Sequence, residues 1–437
     1  MARRAGILAL LACLPGCVPR PAWRTLTPDH RTAVEVTERN GRACVRVGHS
    51  PASCHDAVAL TGLVFSADGG HIAYPARQVR EWTIVRDGIP GSPWEGVADP
   101  VFSPDGAHLA YAALRDTVWR VVEDEVPGGA VDSIFTASLT FDASGQHLAY
   151  AAVTQGRARV VVDGHPGPGF DAIGRIAFSG DGAHVAYAAR AGRTAALVLD
   201  GQPQQSHDAI GEIVFGPQSG GPAYAARDDR GWRVIAPSTT LGPYQAVRQL
   251  TYVRGRQTLV FVARVEGGET AIADGVPGPV FRAVEHLATD ASGDHWGYVG
   301  RDSAASAVVL DGRPAAQETQ VSDIAWSPDG SRSAYAALRG DVFAVVDEHG
   351  AHPFDMLVEG TLVFTPGGAW ACLVGDRRNH RLYVTVEGLR ERRLFDWGLY
   401  AGILAARPRP GGDPERAAET LRAWVEAEAR LISEGPR

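Results

Sequence analysis

One interval of about 37 residues governs most of this chain and limits what it can become. The recurring unit is an aromatic or apolar residue, a turn centred on Asp-Gly, and a short strand ending in Tyr. Clear copies are Phe102-Ser-Pro-Asp-Gly-Ala-His-Leu-Ala-Tyr111, Phe178-Ser-Gly-Asp-Gly-Ala-His-Val-Ala-Tyr187 and Trp326-Ser-Pro-Asp-Gly-Ser-Arg-Ser-Ala-Tyr335. The leading position falls at Phe65, Phe102, Phe141, Phe178, Phe215, Tyr252, Thr289, Trp326 and Phe364, in steps of 37, 39, 37, 37, 37, 37, 37 and 38 residues. Such a period means one supersecondary unit repeated, each copy burying its apolar face on its neighbours.

The copy from Phe141 to Phe178 shows what the unit is. Leu139-Thr140-Phe141 is β-prone and runs into the turn Asp142-Ala-Ser-Gly145. Leu148 and Tyr150 alternate with Ala149, the period of a half-buried strand. Gln155-Gly156 turns the chain into Arg159–Val162, and Asp163-Gly164 is a strong hairpin signal. Phe170-Asp-Ala-Ile173 reads as a fourth short strand, marked as an edge by the preceding Pro and Gly. The hairpin dipeptide recurs at Asp87-Gly88, Asp200-Gly201, Asp274-Gly275 and Asp311-Gly312, and as Glu387-Gly388. Four strands per repeat predict an all-β fold: a single β-propeller of about nine to ten four-stranded blades over 33–405.

The chain ends suggest how such a ring closes. Ala33–Val36, Cys44–Val47 and Asp56–Val58 match the second to fourth strands of a blade whose first strand is missing. Phe395-Asp396 repeats the Phe170-Asp171 pattern, and Leu399–Ile403 falls where another first strand is due. Pairing the two would close the ring; two smaller propellers in tandem are the alternative. Pro408–Gly412 breaks the pattern, and a short amphipathic helix is expected over 413–433. Asp413 is its N-cap, Pro414 its first residue, and Ala417, Leu421, Trp424, Val425, Leu431 and Ile432 its apolar stripe.

Composition bears mainly on location. All 42 basic residues are Arg, the net charge is −8, and no clustered basic face indicates nucleic acid. Arg3 and Arg4 precede the apolar run Ala5–Ala12 and then Cys13-Leu-Pro-Gly-Cys17, the layout of a secretory signal over 1–17, with 18–32 as a linker. Its end resembles the bacterial lipobox, which implies lipidation at Cys17; Leu10-Leu-Ala-Cys13 is the competing register. Cys44 and Cys54 flank a turn between neighbouring strands and are expected to pair in an oxidising compartment. Cys372, one residue before the position matching the repeat Tyr, reads as a packing residue.

The Phe-Ser-Pro-Asp-Gly…Leu-Ala-Tyr signature resembles the WD-like repeat of TolB-type propellers of bacterial envelope proteins, over roughly 33–405. The Trp-Asp ending of eukaryotic WD repeats is absent. The resemblance implies a periplasmic or surface setting. Val18 after Cys17 implies, by the usual lipoprotein sorting rule, the outer membrane of a diderm bacterium.

Chemistry is thinly signalled. His71, His108, His147, His184 and His295 share one repeat position, but sheets packed about 10 Å apart cannot bring equivalent residues onto one metal ion. They read as polar residues leaving the Asp-Gly turn. Arg77, Arg190, Arg227, Arg264 and Arg301 recur after the Tyr strand and form a candidate rim for an anion or an acidic partner. Asp68, Asp105, Asp181 and Asp329 are turn residues. Glu348-His349-Gly-Ala-His352 is the one tight His pair, without a third ligand. Neither a nucleophile elbow, a phosphate loop nor a His-Glu-x-x-His motif is present. No catalytic residue, cofactor or metal is therefore expected. The expected function is a lipid-anchored, non-catalytic scaffold for an envelope protein or glycan; a propeller hydrolase or lyase acting on envelope carbohydrate is the alternative.

Overall fold

Two consecutive residues with left-handed backbone make the tightest hairpin a right-twisted strand pair accepts, and Asp-Gly supplies them cheaply. Asp87 and Gly88 take φ of 53° and 82°, Asp163 and Gly164 49° and 77°, and Asp274 and Gly275 45° and 82°. With a comparably short turn after each of the other strands, every repeat closes on itself as one antiparallel sheet. The computed structural model describes residues 23–27 and 32–387, apart from 218–220, 254, 256, 291, 366 and 377–380, together with 393–394 and 425.

Ten such sheets follow one another, spanning 23–55, 57–90, 96–127, 133–166, 172–207, 209–244, 246–277, 283–318, 320–354 and 356–394. Each runs first to fourth strand in chain order, the layout of propeller blades. In the fifth sheet the strands are Ala172–Phe178, Val185–Ala191, Thr194–Leu199 and Gln202–His207. Where a first strand is interrupted, as at Ser133–Ile134 and Thr140–Phe141, both pieces pair with the same second strand.

The cores lie between sheets. One face of each second strand meets the sheet before it: Leu109, Tyr111 and Ala113 pack with Ala73, Ile84 and Trp94. The opposite face meets the sheet after it: Ala110 and Val121 pack with Phe141, Leu148 and Tyr150. We call these the leading and trailing faces. Within the leading face the repeat Tyr meets the last residue of the preceding fourth strand edge to face, as Tyr187 does Phe170 (6.4 Å between ring centroids) and Tyr298 does Phe281 (6.3 Å). That geometry suits the opposite charge of ring face and ring edge.

In eight of the ten sheets the turn before the second strand is built on a buried polar side chain; Gly216 and Val253 take that position in the sixth and seventh. Ser103 donates its hydroxyl to Asp105 Oδ1 (2.5 Å) and accepts the His108 N–H (2.9 Å). Ser66–Asp68, Ser179–Asp181 and Ser327–Asp329 repeat this arrangement. In two sheets the order is reversed: Asp142 and Asp290 occupy the buried position and accept from Ser144 and Ser292.

Three expectations change. Phe170–Ile173 is no fourth strand: Phe170 ends the fourth strand of one sheet through a bridge to Ala158, and Ala172 opens the next sheet. Asp56–Val58 divides likewise, with Ser53–His55 behind it and Ala57–Val58 ahead. The corner falls inside a β-prone run, so propensity alone runs past it. Second, the first sheet does not lack its first strand. Trp23–Leu26 pairs with Ala33–Val36, inside the stretch read as linker, and no borrowed strand is needed there. Thr27 takes the buried Ser position, bonding Thr32 N–H and carbonyl as Ser103 does His108. Leu26 is thus a tenth leading position, hidden because His30 and Glu35 replace the usual Gly and Tyr. Third, the last turn is one residue shorter: Phe364 pairs with Trp370, which places Cys372 in the Tyr column, fully buried and with its thiol pKa pushed up by burial. Leu399–Ile403, Cys13 and Cys17 lie outside the described residues, as does 413–433 but for Val425.

Candidate functional site

The repeated polar columns come to different ends. Each of the five His residues lies against the Asp of its own sheet's hairpin. Nδ1–Oδ2 distances are 2.7 Å for His71–Asp87, 2.5 Å for His108–Asp124, 2.8 Å for His147–Asp163, 2.7 Å for His184–Asp200 and 2.7 Å for His295–Asp311. The other carboxylate oxygen accepts the first N–H of the second strand, as Asp124 does from Leu109 (3.0 Å). Each pair therefore latches one turn to the other at the same end of the sheet. His71 and His108 also stack on Phe102 and Phe141 of the following sheet, 6.2 and 6.5 Å between centroids. Their hydrogen bonds to Asp124 and Asp163 raise the pKa values of His108 and His147.

The five Arg of the candidate rim lie on five different sheets. One residue stands at the end of each of five second strands, engaged within its own neighbourhood. Arg77 lies over Trp82 (5.7 Å) and Arg227 over Trp232 (6.0 Å), while Arg190 donates to the Gly192 carbonyl (3.2 Å). Arg264 faces Glu269 in register, and Arg301 pairs with Glu285 and donates to the Val321 carbonyl. Acids at the same end, such as Asp56 and Asp171, accept N–H groups from Val79 and Gly192.

The structure adds carboxylates to the His pair of the ninth sheet. Asp347, Glu348 and His349 gather within 4.8 Å of one another, but their acids have other work. Asp347 accepts from Trp370 Nε1 of the next sheet (2.8 Å) and from the His349 N–H (2.8 Å), and Glu348 pairs with Arg332. Arg332 also reaches Glu387 at 2.7 Å. This is a tie between two sheets. Cys44 and Cys54 stand directly opposite each other on neighbouring strands and are disulfide-bonded.

A further row was not visible as a motif. In six first strands the register to the second strand skips at one place: Ala98/Val101, Ile173/Ile176, Ile210/Ile213, Arg248/Thr251, Glu285/Ala288 and Val321/Asp323. A bulge re-aims the side chain it carries. At these bulges stand Asp99, Arg175, Glu212, Gln249, His286 and Asp323, mostly 37 residues apart. Some of the row is structural. Asp99 accepts the Ala137 N–H (3.1 Å), Glu212 the N–H groups of Gln249 (3.1 Å) and Leu250, and Asp323 that of Gly360 (2.7 Å). In each case the acid serves the first-strand segment of the next sheet: Gln249 and Leu250 lie in that strand, Ala137 and Gly360 in the turn that interrupts it. The side chains of Arg175, Gln249 and His286, with Glu212 among them, stand exposed on successive sheets. The row offers a cation, an anion, an amide and an imidazole: hydrogen-bonding variety, without a nucleophile and base set against each other. Its only signal in the sequence is the period, because its members share no chemistry.

No family model matches the chain, and no curated protein does. Among solved structures it is similar to one described as the eukaryotic initiation factor, at 13% identity and TM-score 0.40, over 74% of this chain and 95% of that one. It is similar to the Dos1 propeller at 12% identity and TM-score 0.34, over 66% and 91%. It is also similar to TolB from Acinetobacter baumannii at 16% identity and TM-score 0.26, over 43% and 54%. The chain's own ten four-stranded sheets make it a β-propeller-type, all-β protein.

Proposed function

We propose that this chain is an exported, lipid-anchored binding scaffold that engages an envelope protein or glycan without chemistry of its own. The observation that carries this reading is the exposed row Arg175, Glu212, Gln249 and His286, one side chain per sheet at even spacing. Even spacing along stacked repeats suits an extended polar ligand contacted at many points, as repeat proteins use their surfaces. The acids with lowered pKa values in the turns, such as Asp68, Asp105 and Asp329, are held low first by Ser hydroxyls and then by backbone N–H groups, a structural task. Export is supported by the signal-like first 17 residues and by the Cys44–Cys54 disulfide, which an oxidising compartment sustains. Cys17 is the proposed lipidation site, and several acyl chains there would give stable anchoring. Val18 favours the outer membrane.

Crosslinked capture of the mature protein from its native envelope, compared with an Arg175→Glu/His286→Ala variant, tests the surface. Recovery of a stoichiometric partner by the parent protein and its loss from the variant support it. Equal recovery by both removes the row from the proposal. Fatty-acid labelling that persists in Cys17→Ser would move the anchor to another residue, and a parent protein that takes no label would remove it from the proposal.

A further inference from the structure

Among the described residues, no neighbouring repeat covers the leading face of the first sheet or the trailing face of the tenth, and the two faces differ in kind. The leading face of the first sheet is polar. Where other sheets carry the repeat Tyr opposite a Val, as Tyr74 opposite Val85, this one carries Glu35 opposite Arg46, and the two form an ion pair. Thr37 and the disulfide-bonded Cys44 stand in register beside them. The trailing face of the tenth sheet is apolar: Ala371, Leu373, Val384 and Val386, all buried. Pressing these faces together, as a closed ring requires, would bury an ion pair against aliphatic side chains and cost the desolvation of both charges.

The tenth sheet's face has an occupant already. Val425 is helical, 0% exposed, and part of the cluster with Ala371, Leu373, Val384 and Val386. It comes from the segment whose Leu421, Val425 and Ile432 are spaced for one helical face. We propose that the segment 413–433 is the terminal cap of the array: its apolar stripe lies on the trailing face of the tenth sheet, in the place of an eleventh sheet. The other end needs no cap, because Glu35 and Arg46 make it compatible with water. Repeat arrays commonly finish in this way, with a terminal unit that shows a polar outer surface. Ring closure through a C-terminal strand paired to the first sheet is then unnecessary at both ends.

Hydrogen exchange on the unsubstituted full chain tests the cap directly. Amides within 421–432 are expected to exchange at least tenfold more slowly than a free peptide of that sequence. Exchange at the free-peptide rate overturns the proposal. Val425→Asp should release the segment: a several-fold rise in emission of a hydrophobic-surface dye, faster proteolysis after residue 412, and self-association on a sizing column. Val425→Ile should behave as the parent. If Val425→Asp folds and shows none of these changes, something else covers Leu373 and the proposal fails. If it does not fold, the exchange measurement on the parent still decides.

Discussion

Glu212 in the sixth sheet accepts the backbone N–H of Gln249 in the seventh at 3.1 Å, and that of Leu250 beside it. An edge strand with unpaired donors is a template for the wrong partner, and here a carboxylate one repeat earlier blocks it. Glu212→Ala is expected to destabilise the fold by about 1–2 kcal/mol, since bonds to a charged acceptor exceed neutral ones but this acid is open to water. Urea unfolding measures it. An unchanged midpoint would show that water serves those two donors as well as Glu212 does.

The hairpin carboxylates have two tasks and the imidazoles one. Asp124→Ala, which strands the Leu109 N–H as well as His108, should therefore lower stability more than His108→Ala. The pH dependence has a definite sign. The pKa values of His108 and His147 are raised above 6.5 in the folded protein. Their contribution is whole below pH 6.5 and declines as pH rises through the folded values. Imidazole resonances titrating at or below 6.5 would contradict this, as would a double His108→Gln/His147→Gln variant with the parent's pH slope.

Acid acts in the opposite sense on the turns that precede the second strands. Burial pushes the Asp142 and Asp290 carboxyls up, but hydrogen bonds from Ser144 and Ser292 and from the N–H groups of His147 and His295 outweigh it, and both end below 3.8. Stability from these groups is present above pH 3.8 and disappears as pH falls through the folded values. Asp142→Asn should flatten the acid limb of a stability–pH curve. An acid limb identical to the parent's would place the sensitive groups elsewhere.

The Tyr column sorts by its hydroxyls. Tyr111 donates to Glu125 at 3.0 Å. Tyr187 and Tyr298 have buried hydroxyls with no partner among the described residues, and burial pushes both phenols up to about 12. Removing an unsatisfied buried hydroxyl relieves a desolvation penalty, so Tyr187→Phe should be neutral or stabilising by up to about 1 kcal/mol. Tyr111→Phe should cost about 1 kcal/mol through the lost bond. Thermal melts of both variants make the comparison; a larger loss from Tyr187→Phe would mean that its hydroxyl has a partner in water.

Much of this fold could be read beforehand because its core positions repeat one chemistry. Phe102, Phe141 and Phe178 share a shape and a task, as do Tyr111, Tyr150 and Tyr187. Those columns give nine positions and an expectation of nine to ten sheets; the pairing of Trp23–Leu26 supplies the tenth. Boundaries were harder. Phe170-Asp-Ala-Ile173 is β-prone throughout, and only the geometry of the corner divides it between sheets. The first strand, Trp23–Leu26, escaped because its turn keeps the Thr27 hydroxyl but replaces the Gly and Tyr that mark the motif. The first-strand row was least legible of all. Asp99, Arg175, Glu212 and His286 share a bulge and nothing else, so a reader looking for like residues passes over them.

The reversed turns, Ser103-x-Asp105 against Asp142-x-Ser144, carry a lesson about how such repeats drift. What six copies share there is one hydroxyl and one carboxylate two residues apart, in either order. Spelling is free where the wiring is kept. Two copies can therefore lose letter-by-letter likeness at a junction and still build the same joint, so kinship among such chains outlasts its visibility to any comparison of strings.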